Sequence, residues 1–447
     1  MTTSTCVMRA MLSRARYVDL DVRVSGRVAC LLPPRSLQET ALNTYRVTRR
    51  DLFPLVGAAA TLAAFSRAVP ASAQPAGPTN RYVYVGTYTA PHTAPGGTHV
   101  STARGIYVFR MDGSNGALTQ LQVLDVENPS WLAIDPSGRY LYAVNEVETW
   151  KGQPDTGAVS AFAINASNGQ LTPLNDQSAM GSDTTHVTVD PTGQWVLGSN
   201  YTSGNWSLFP VQSDGSLGPL SDQFAPKGMG PDTARQEGPH AHQTRFAPDG
   251  KFVLGTDLGL DRAWCWTIAN GKFVQNTVPY IQVASGSGSR HMDFHPSGRF
   301  YYIINEMANS INAYTYDATH GTAIWIQTVG TLPADYTGTS TTAEIAVHPS
   351  GRFLYGTNRG HDSVVSFMVD QTTGKLSSPA WSPTQGAVPR GMAIDPSGTL
   401  LFAGNLDSDT VVPFSINQSS GALTPTGAVT NTPVPVAFAF GAAISGK

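Results

Sequence analysis

The chain has 447 residues, of which 41% are hydrophobic and 13% are charged, and it contains 44 glycines and 31 prolines. The charged fraction is well under the usual ~25%, the net charge is −3, and no run is rich in lysine or arginine, so no nucleic acid partner is expected. The abundance of turn-forming residues favours β structure, and the length is compatible with one large all-β domain.

Residues 1–73 are predicted to be an N-terminal extension and a twin-arginine-type signal peptide. The paired arginines Arg49-Arg50 precede an apolar run over 55–65 and the small residues Ala71-Ser72-Ala73. This order is typical of a cleaved export signal, and the run is far below the ~20 apolar residues that span a bilayer. We therefore expect transient contact with the twin-arginine export machinery, no membrane association after cleavage, and a periplasmic or secreted protein.

Residues 74–447 contain an internal repeat marked by a turn with proline at its second position and glycine at its fourth. Proline presets φ for such a turn and glycine accepts a positive φ. The prolines of the six turns are separated by 55, 57, 48, 53 and 47 residues. The turns are Asp135–Gly138, Asp190–Gly193, Ala247–Gly250, His295–Gly298, His348–Gly351 and Asp395–Gly398.

Alternating apolar stretches on both sides of each turn predict hairpins, and a second turn such as Asn115-Gly116 marks the other half of each unit. Four short strands per unit fit a propeller blade. A further unit is split between 82–88 and 434–440, and pairing of these two segments would close the ring. The predicted fold is therefore an all-β, seven-bladed β-propeller with four antiparallel strands per blade and one blade closed by N- and C-terminal segments.

Equal offsets from the turn prolines predict one polar rim around the central channel, because the two strands of a hairpin return to the same edge. A near-constant Asn or Asp nine residues after each proline is expected to bond loop backbone. The charged residues that differ from blade to blade are the functional candidates. Those at the equivalent offsets are His242, Arg290, Arg390, His291, Glu344, Glu146, Glu306 and Arg359.

Three segments resemble the seven-bladed propeller lactonases, which include bacterial 6-phosphogluconolactonase and the fungal 3-carboxy-cis,cis-muconate lactonising enzyme. The segments are 238–242, 289–296 with 304–306 behind it, and 388–392, and the resemblance extends from about residue 82 to 440. It implies a catalytic set of a His, an Arg, a Glu and a second Arg, without a metal or an organic cofactor. The set falls on His242, Arg290, Glu306 and Arg359, with Arg390 as the alternative to Arg359.

The function that the resemblance implies is hydrolysis of a lactone by water, with arginines stabilising the oxyanion. Either Glu306 or His242 is the expected general base. Five residues are expected to bind a small-molecule lactone or carboxylate substrate: His240, His291, Glu146, Glu344 and Arg390. Export argues against a phosphorylated sugar of the cytoplasm. Two alternatives stay open, a carboxymuconate cyclase-like lactonising enzyme and a non-catalytic ligand-binding propeller.

Overall fold

The computed structural model describes residues 79–94 and 97–444. The regular secondary structure of this part of the chain is almost entirely β-strand. The export signal predicted over 1–73 lies outside the described residues. Within the described ranges, no helix has the length and apolar character needed to cross a membrane.

Thirty-three strands and one short 3₁₀ helix are present in the described residues. The first seventeen strands are β1 (Arg81–Thr87), β2 (His92–Ala94), β3 (Gly97–His99), β4 (Gly105–Met111), β5 (Leu118–Asp125), β6 (Leu132–Ile134), β7 (Tyr140–Asn145), β8 (Thr149–Trp150), β9 (Gln153–Pro154), β10 (Ala158–Ile164), β11 (Leu171–Ser178), β12 (Thr184–Val189), β13 (Trp195–Asn200), β14 (Asn205–Pro210), β15 (Asp222–Phe224), β16 (Ala241–Phe246) and β17 (Val253–Asp257). The others are β18 (Arg262–Ala269), β19 (Lys272–Gln282), β20 (Ser289–Phe294), β21 (Phe300–Asn305), β22 (Ser310–Asp317), β23 (Thr322–Gly330), β24 (Thr341–Val347), β25 (Phe353–Arg359), β26 (Ser363–Val369), β27 (Leu376–Pro383), β28 (Pro389–Ile394), β29 (Leu400–Asn405), β30 (Thr410–Ile416), β31 (Leu423–Pro425), β32 (Thr430–Asn431) and β33 (Pro435–Ala443), with the 3₁₀ helix at Leu406–Ser408.

Seven antiparallel sheets form the blades of a propeller. From the innermost strand outward they are β33-β1-β4-β5, β6-β7-β10-β11, β12 to β15, β16 to β19, β20 to β23, β24 to β27, and β28 to β31 with β32 beside β30. In the first of these blades, β33 pairs with β1 from the other end of the described chain, with Val85 opposite Phe438. The predicted seven-bladed fold and its closure by terminal segments are confirmed.

The innermost strands contact one another in a closed ring around the channel: β6, β12, β16, β20, β24, β28 and β33. Between blades the apolar faces pack together, as Ile106 and Val108 of one blade do against Leu141 and Phe162 of the next. The hydrophobic core is thus divided among the contacts between neighbouring blades, which is where burial of apolar area stabilises the ring.

A repeated tyrosine bond joins neighbouring blades at their outer turns. The hydroxyl of Tyr84 donates to the carbonyl of Gly169 at 3.0 Å. Three equivalent bonds of 2.9–3.0 Å join Tyr142 to Gly215, Tyr302 to Gly374, and Tyr355 to Gly421. All four glycines have a positive φ, between 71° and 85°, which an L side chain rarely adopts. The second turn of the repeat therefore serves blade-to-blade attachment as well as hairpin closure.

Candidate active site

A β-bulge recurs at one end of the innermost strand in six blades, and in β33 it falls at Val436. In β20, Ser289 pairs with Asn305 and His291 pairs with Ile304, so Arg290 has no cross-strand partner of its own. The same irregularity isolates Thr185, His242 and Arg390, and in β24 it sets Ala343 and Glu344 opposite the single residue Thr357. A bulge interrupts the two-residue alternation of a strand and re-aims a side chain. Consecutive residues such as Arg290 and His291 can therefore both contact the same cluster.

Three guanidinium groups converge on the carboxylate of Glu306. Arg290 donates from Nε to Oε2 at 3.0 Å, and Nη2 of Arg359 lies 3.0 Å from the same oxygen. Arg235 donates from Nη2 to Oε1 at 2.7 Å. Both Glu306 and Arg290 are buried. Three cations against one anion leave this group, the Glu306 cluster, with a net positive charge that suits an anionic ligand.

The surroundings of Glu306 favour its ionised form. Burial alone opposes ionisation, but attraction to Arg359, Arg290 and Arg235 outweighs it and holds the pKa of Glu306 well below its ordinary value. Burial lowers the pKa of Arg290 to about 10, which leaves its guanidinium charged at neutral pH. Glu306 is consequently a weakly basic anion whose oxygens already accept hydrogen bonds.

His242 is buried next to this cluster. Its ring centroid lies 5.6 Å from that of Tyr201 and 4.9 Å from that of His291. Burial, and then the charge of Arg290, holds the pKa of His242 well below its ordinary value, so the ring is neutral at physiological pH. Its Nδ1 is buried and has no hydrogen-bond partner among the described residues. A neutral imidazole can act as a general base through the ring nitrogen that carries no proton.

His240 lines the site, and each of its two ring nitrogens has a polar partner. It stacks on Tyr201 with the ring centroids 4.5 Å apart, and its Nδ1 lies 3.0 Å from the carbonyl oxygen of Tyr201. Its Nε2 is 3.2 Å from a carboxylate oxygen of Glu237. His240 is held in place by these contacts, which leaves His242 as the histidine of this strand with a free nitrogen.

A second group of buried residues contacts His242 from the side of His291. Nδ1 of His291 is 3.0 Å from Oε2 of Glu344, and the backbone N–H of Ile345 donates to Oε1 of Glu344 at 3.0 Å. The ring of His291 lies 5.0 Å from Trp131 and 5.6 Å from His186. Burial raises the pKa of Glu344 to about 7, against the attraction of Arg290.

A third group is formed by Tyr88, Glu146 and Arg390. The hydroxyl of Tyr88 donates to Oε1 of Glu146 at 2.7 Å, and Nη2 of Arg390 lies 3.5 Å from Oε2. The guanidinium of Arg390 is 4.7 Å from the centroid of the Tyr88 ring, a cation–π distance. Arg390 also lowers the pKa of Arg290 and of His242 by charge repulsion, so this group belongs to the same mouth of the channel.

The structure brings seven of the nine site residues proposed from sequence into one connected set of contacts: His242, Arg290, Glu306, Arg359, His240, His291 and Glu344. The other two, Glu146 and Arg390, pair with each other, and the charge of Arg390 acts on Arg290 and Glu306. Arg359 and Arg390 are not equivalent. Arg359 bonds to Glu306, whereas Arg390 pairs with Glu146. Arg359 is therefore the second arginine of the Glu306 cluster.

Sequence analysis missed Arg235 and Tyr88. Arg235 lies in the connection between β15 and β16, which has no equivalent offset in other blades. Tyr88 directly follows β1, as Glu146 follows β7 and Glu306 follows β21. The offset that found these two glutamates also reaches Tyr88, but the first blade has no turn proline from which to count.

No group of three or more His, Cys, Asp or Glu residues in the described part of the chain has the arrangement of a metal site. Cys265 is buried, and burial raises the pKa of its thiol to about 12. A thiol in that state is a poor nucleophile.

The closed ring and its charged mouth define a β-propeller with a polar site at one end of its channel, and comparison with known proteins narrows this class to one family. The family described as lactonase, 7-bladed beta-propeller, matches residues 82–440. A 6-phosphogluconolactonase of Bacillus subtilis (strain 168) is 37% identical over 308 residues, which are 69% of this chain and 83% of the relative. The chain therefore belongs to the seven-bladed β-propeller lactonase family.

Solved structures agree with this assignment. The periplasmic gluconolactonase of Pseudomonas aeruginosa is 26% identical with a TM-score of 0.74, covering 82% of this chain and 100% of that one. A protein from Lactobacillus plantarum is 28% identical with a TM-score of 0.72, covering 81% and 99%. The likeness extends over the whole propeller.

Proposed function

We propose that the protein is a hydrolase that opens a lactone ring at the mouth of its channel. Membership of the lactonase family supports this, as do relatives named 6-phosphogluconolactonase and gluconolactonase. The observation that carries the proposal is the position of His242, a buried and neutral imidazole, beside the arginines that share Glu306.

His242 is the proposed general base. It takes a proton from water as the water oxygen bonds to the lactone carbonyl carbon. When the ring C–O bond breaks, the protonated His242 returns that proton to the departing ring oxygen, and the product is a hydroxy acid. Glu306 is the weaker candidate because its oxygens are occupied by arginines and its pKa is held low.

Arg290 and Arg359 are the proposed oxyanion donors. Each has guanidinium N–H groups in addition to the one that meets Glu306, and Glu306 fixes the position of both. Donors held in advance near the developing negative charge lower the barrier without reorganising during the reaction. Arg235, which bonds the other oxygen of Glu306 and is half exposed, is suited to bind a substrate anion instead.

The proposed substrate is a sugar-acid lactone of the gluconolactone type. Its hydroxyl groups suit the side chains of Tyr88, Glu146 and Arg390, which offer both donors and acceptors. An anionic substituent would suit the positive Glu306 cluster. If the chain is exported as proposed below, the unphosphorylated lactone is the expected substrate.

Purified protein lacking residues 1–73 should be assayed with glucono-δ-lactone, 6-phosphogluconolactone and an unsaturated dicarboxylate of the muconate type. Acid release in a pH-stat reports hydrolysis, and loss of ultraviolet absorbance reports cyclisation of the muconate. Hydrolysis of either sugar lactone supports the proposal. Cyclisation alone would assign the lactonising activity, and saturable binding without turnover would assign a binding propeller.

His242→Gln should lower kcat/KM for the best lactone by at least ~10²-fold, the usual scale for losing a general base. His320→Gln is the matched control, because His320 is exposed at an outer turn. The same rate in His242→Gln as in the wild type would remove His242 from the mechanism.

We also propose export through the twin-arginine pathway, supported by the residue order of 48–73. Replacing Arg49 and Arg50 together by lysine should keep the chain in the cytoplasm. Fractionation and N-terminal sequencing of the product measure this. A mature N-terminus near residue 74 is expected in the exported fraction, and unchanged export of the double variant would contradict the proposal.

A further inference from the structure

The buried pair of His291 and Glu344 has no assigned task in the attack on the lactone. The His291 ring of this pair packs edge to face against His242. Both the imidazole and the carboxylate are buried. Burying a carboxylate is unfavourable unless hydrogen bonds compensate. Here it has two donors, Nδ1–H of His291 and the backbone N–H of Ile345.

The bond to Glu344 determines which nitrogen of the His291 ring carries the proton. Because Nδ1 donates to Glu344, Nε2 presents its lone pair, and Nε2 is buried with no partner in the described residues. Nδ1 of His242 is also buried and unpartnered, and the two rings meet edge to face at 4.9 Å between centroids. Buried polar atoms of this kind are normally satisfied by protein or by ordered water, and two such nitrogens supply the partners that a bridging water requires.

We propose that His291 and Glu344 form the second half of a proton relay, in which one channel water joins His291 to His242. This inference rests on the proposed lactonase function. His242 takes a proton from the attacking water and releases the proton on its own Nδ1 through the bridging water to Nε2 of His291. His291 then passes the proton on its own Nδ1 to Glu344. The transfers reverse when the ring oxygen leaves, so the residues end unchanged and one water is consumed per lactone.

Charges around the pair set the pH at which the relay is ready. Glu344 is faced by Arg290, Arg245 and Arg390, and His291 is faced by these arginines, by Glu306 and by His186. With the pKa of Glu344 raised to about 7, the carboxylate is free to accept a proton above that pH and is already protonated below it. The rate should therefore fall as the pH drops through about 7.

Glu344→Gln is the first test, because glutamine keeps the size and can accept the Nδ1–H bond of His291 but cannot take a proton. In kcat/KM profiles from pH 5 to 9 with the best lactone, we expect a loss of about 10-fold or more at pH 8 and disappearance of the acid limb near pH 7. A uniform loss with the limb unmoved would show a packing role and overturn the relay.

His291→Asn is the second test, since its amide N–H can still reach Glu344 while Nε2 is gone. The relay requires a loss of about 10²-fold in this variant, and wild-type rates would overturn it. Asp395→Asn is the control: it neutralises a buried carboxylate in a turn at the opposite edge of its blade, where it bonds Ser397, and the acid limb should stay in place.

Nitrogen-15 NMR of the histidines, which needs no turnover, separates the two proposals. The wild type should show His291 protonated at Nδ1 with an unprotonated Nε2 at pH 8. If the protein hydrolyses no lactone, the proposed function fails while the NMR result still tests the pair. A His291 protonated at Nε2 would overturn the relay even in an active lactonase.

Discussion

Glu306 holds Arg235, Arg290 and Arg359 together although their like charges repel. Each arginine is within 2.7 to 3.0 Å of a carboxylate oxygen, and Arg290 is fully enclosed, with a second bond to the carbonyl of Ala343 at 2.8 Å. Removing the shared anion would leave three neighbouring cations without an anionic partner, one of them buried. Glu306 is thus as important to the integrity of the mouth as to any substrate.

Glu306→Gln should destabilise the folded protein by about 3–5 kcal/mol, the range for removing one partner from a buried ion pair. Urea unfolding followed by tryptophan fluorescence measures the change. Glu237→Gln is the control, since Glu237 is mostly exposed and pairs with His240 at the rim. A loss under about 1 kcal/mol, the value of surface pairs, would mean that solvent reaches and screens this cluster.

At one edge of the propeller, the innermost strand of a blade carries a residue that varies from blade to blade, and the strand beside it ends in a nearly constant asparagine. The bulge of the innermost strand presents a different side chain in each blade, such as Thr185, His242, Arg290 or Arg390. Directly opposite, the near-constant asparagine or aspartate at the end of the next strand bonds loop backbone as predicted, except Asn305, whose amide donates to the side chains of Ser310 and Asn312. Examples are Asn145 to Glu127, Asn358 to Thr331 and Asn405 to Thr384, at 2.7 to 3.0 Å. Each blade thereby keeps one fixed anchor beside one exchangeable residue.

Asn405→Ala should cost about 1–3 kcal/mol, because the buried carbonyl of Thr384 loses the amide that donates to it at 2.9 Å. Thermal unfolding of the variant measures this loss, and kcat/KM should change little. Asn168→Ala serves as the control in an exposed turn whose bonds are local. Equal melting temperatures for both variants would contradict the anchoring role.

Turn chemistry made the blades predictable, because proline and glycine impose the same backbone shape wherever they recur. Equivalent offsets then located His242, Arg290 and Glu306. The bulges were not predictable: an extra residue in one strand depends on cross-strand pairing, which the local sequence does not state. Arg235 was missed for a related reason. The connection between β15 and β16 that carries it occurs in a single blade, and only tertiary contact brings it to Glu306.

Closure of the whole ring depends on β33, whose residues pair with β1 on one side and contact β6 and β28 on the innermost ring. Val436 is fully buried in this position. Without β33, one blade would have three strands and β1 would present an unpaired edge next to the channel. Open edges of this kind promote association between chains.

Ending the chain after Val434 should therefore give aggregated protein or a melting temperature lower by more than ~8 °C, as expected for a loss of several kcal/mol in a domain of this size. Light scattering and calorimetry measure the two outcomes. A chain that ends after Ile444 is the control and should match the full-length protein. A soluble, equally stable truncation would show that the remaining strands seal the ring by themselves.

During synthesis, β1 is among the first strands of the propeller to leave the ribosome, and its partner β33 is the last. Until β33 emerges, the nascent propeller carries an unfinished sheet in which the channel-side backbone N–H and C=O groups of β1 have no strand to pair with. The cell must keep this intermediate from self-association for nearly the entire time of translation. Closure of this propeller therefore waits for the last of its strands to be synthesised.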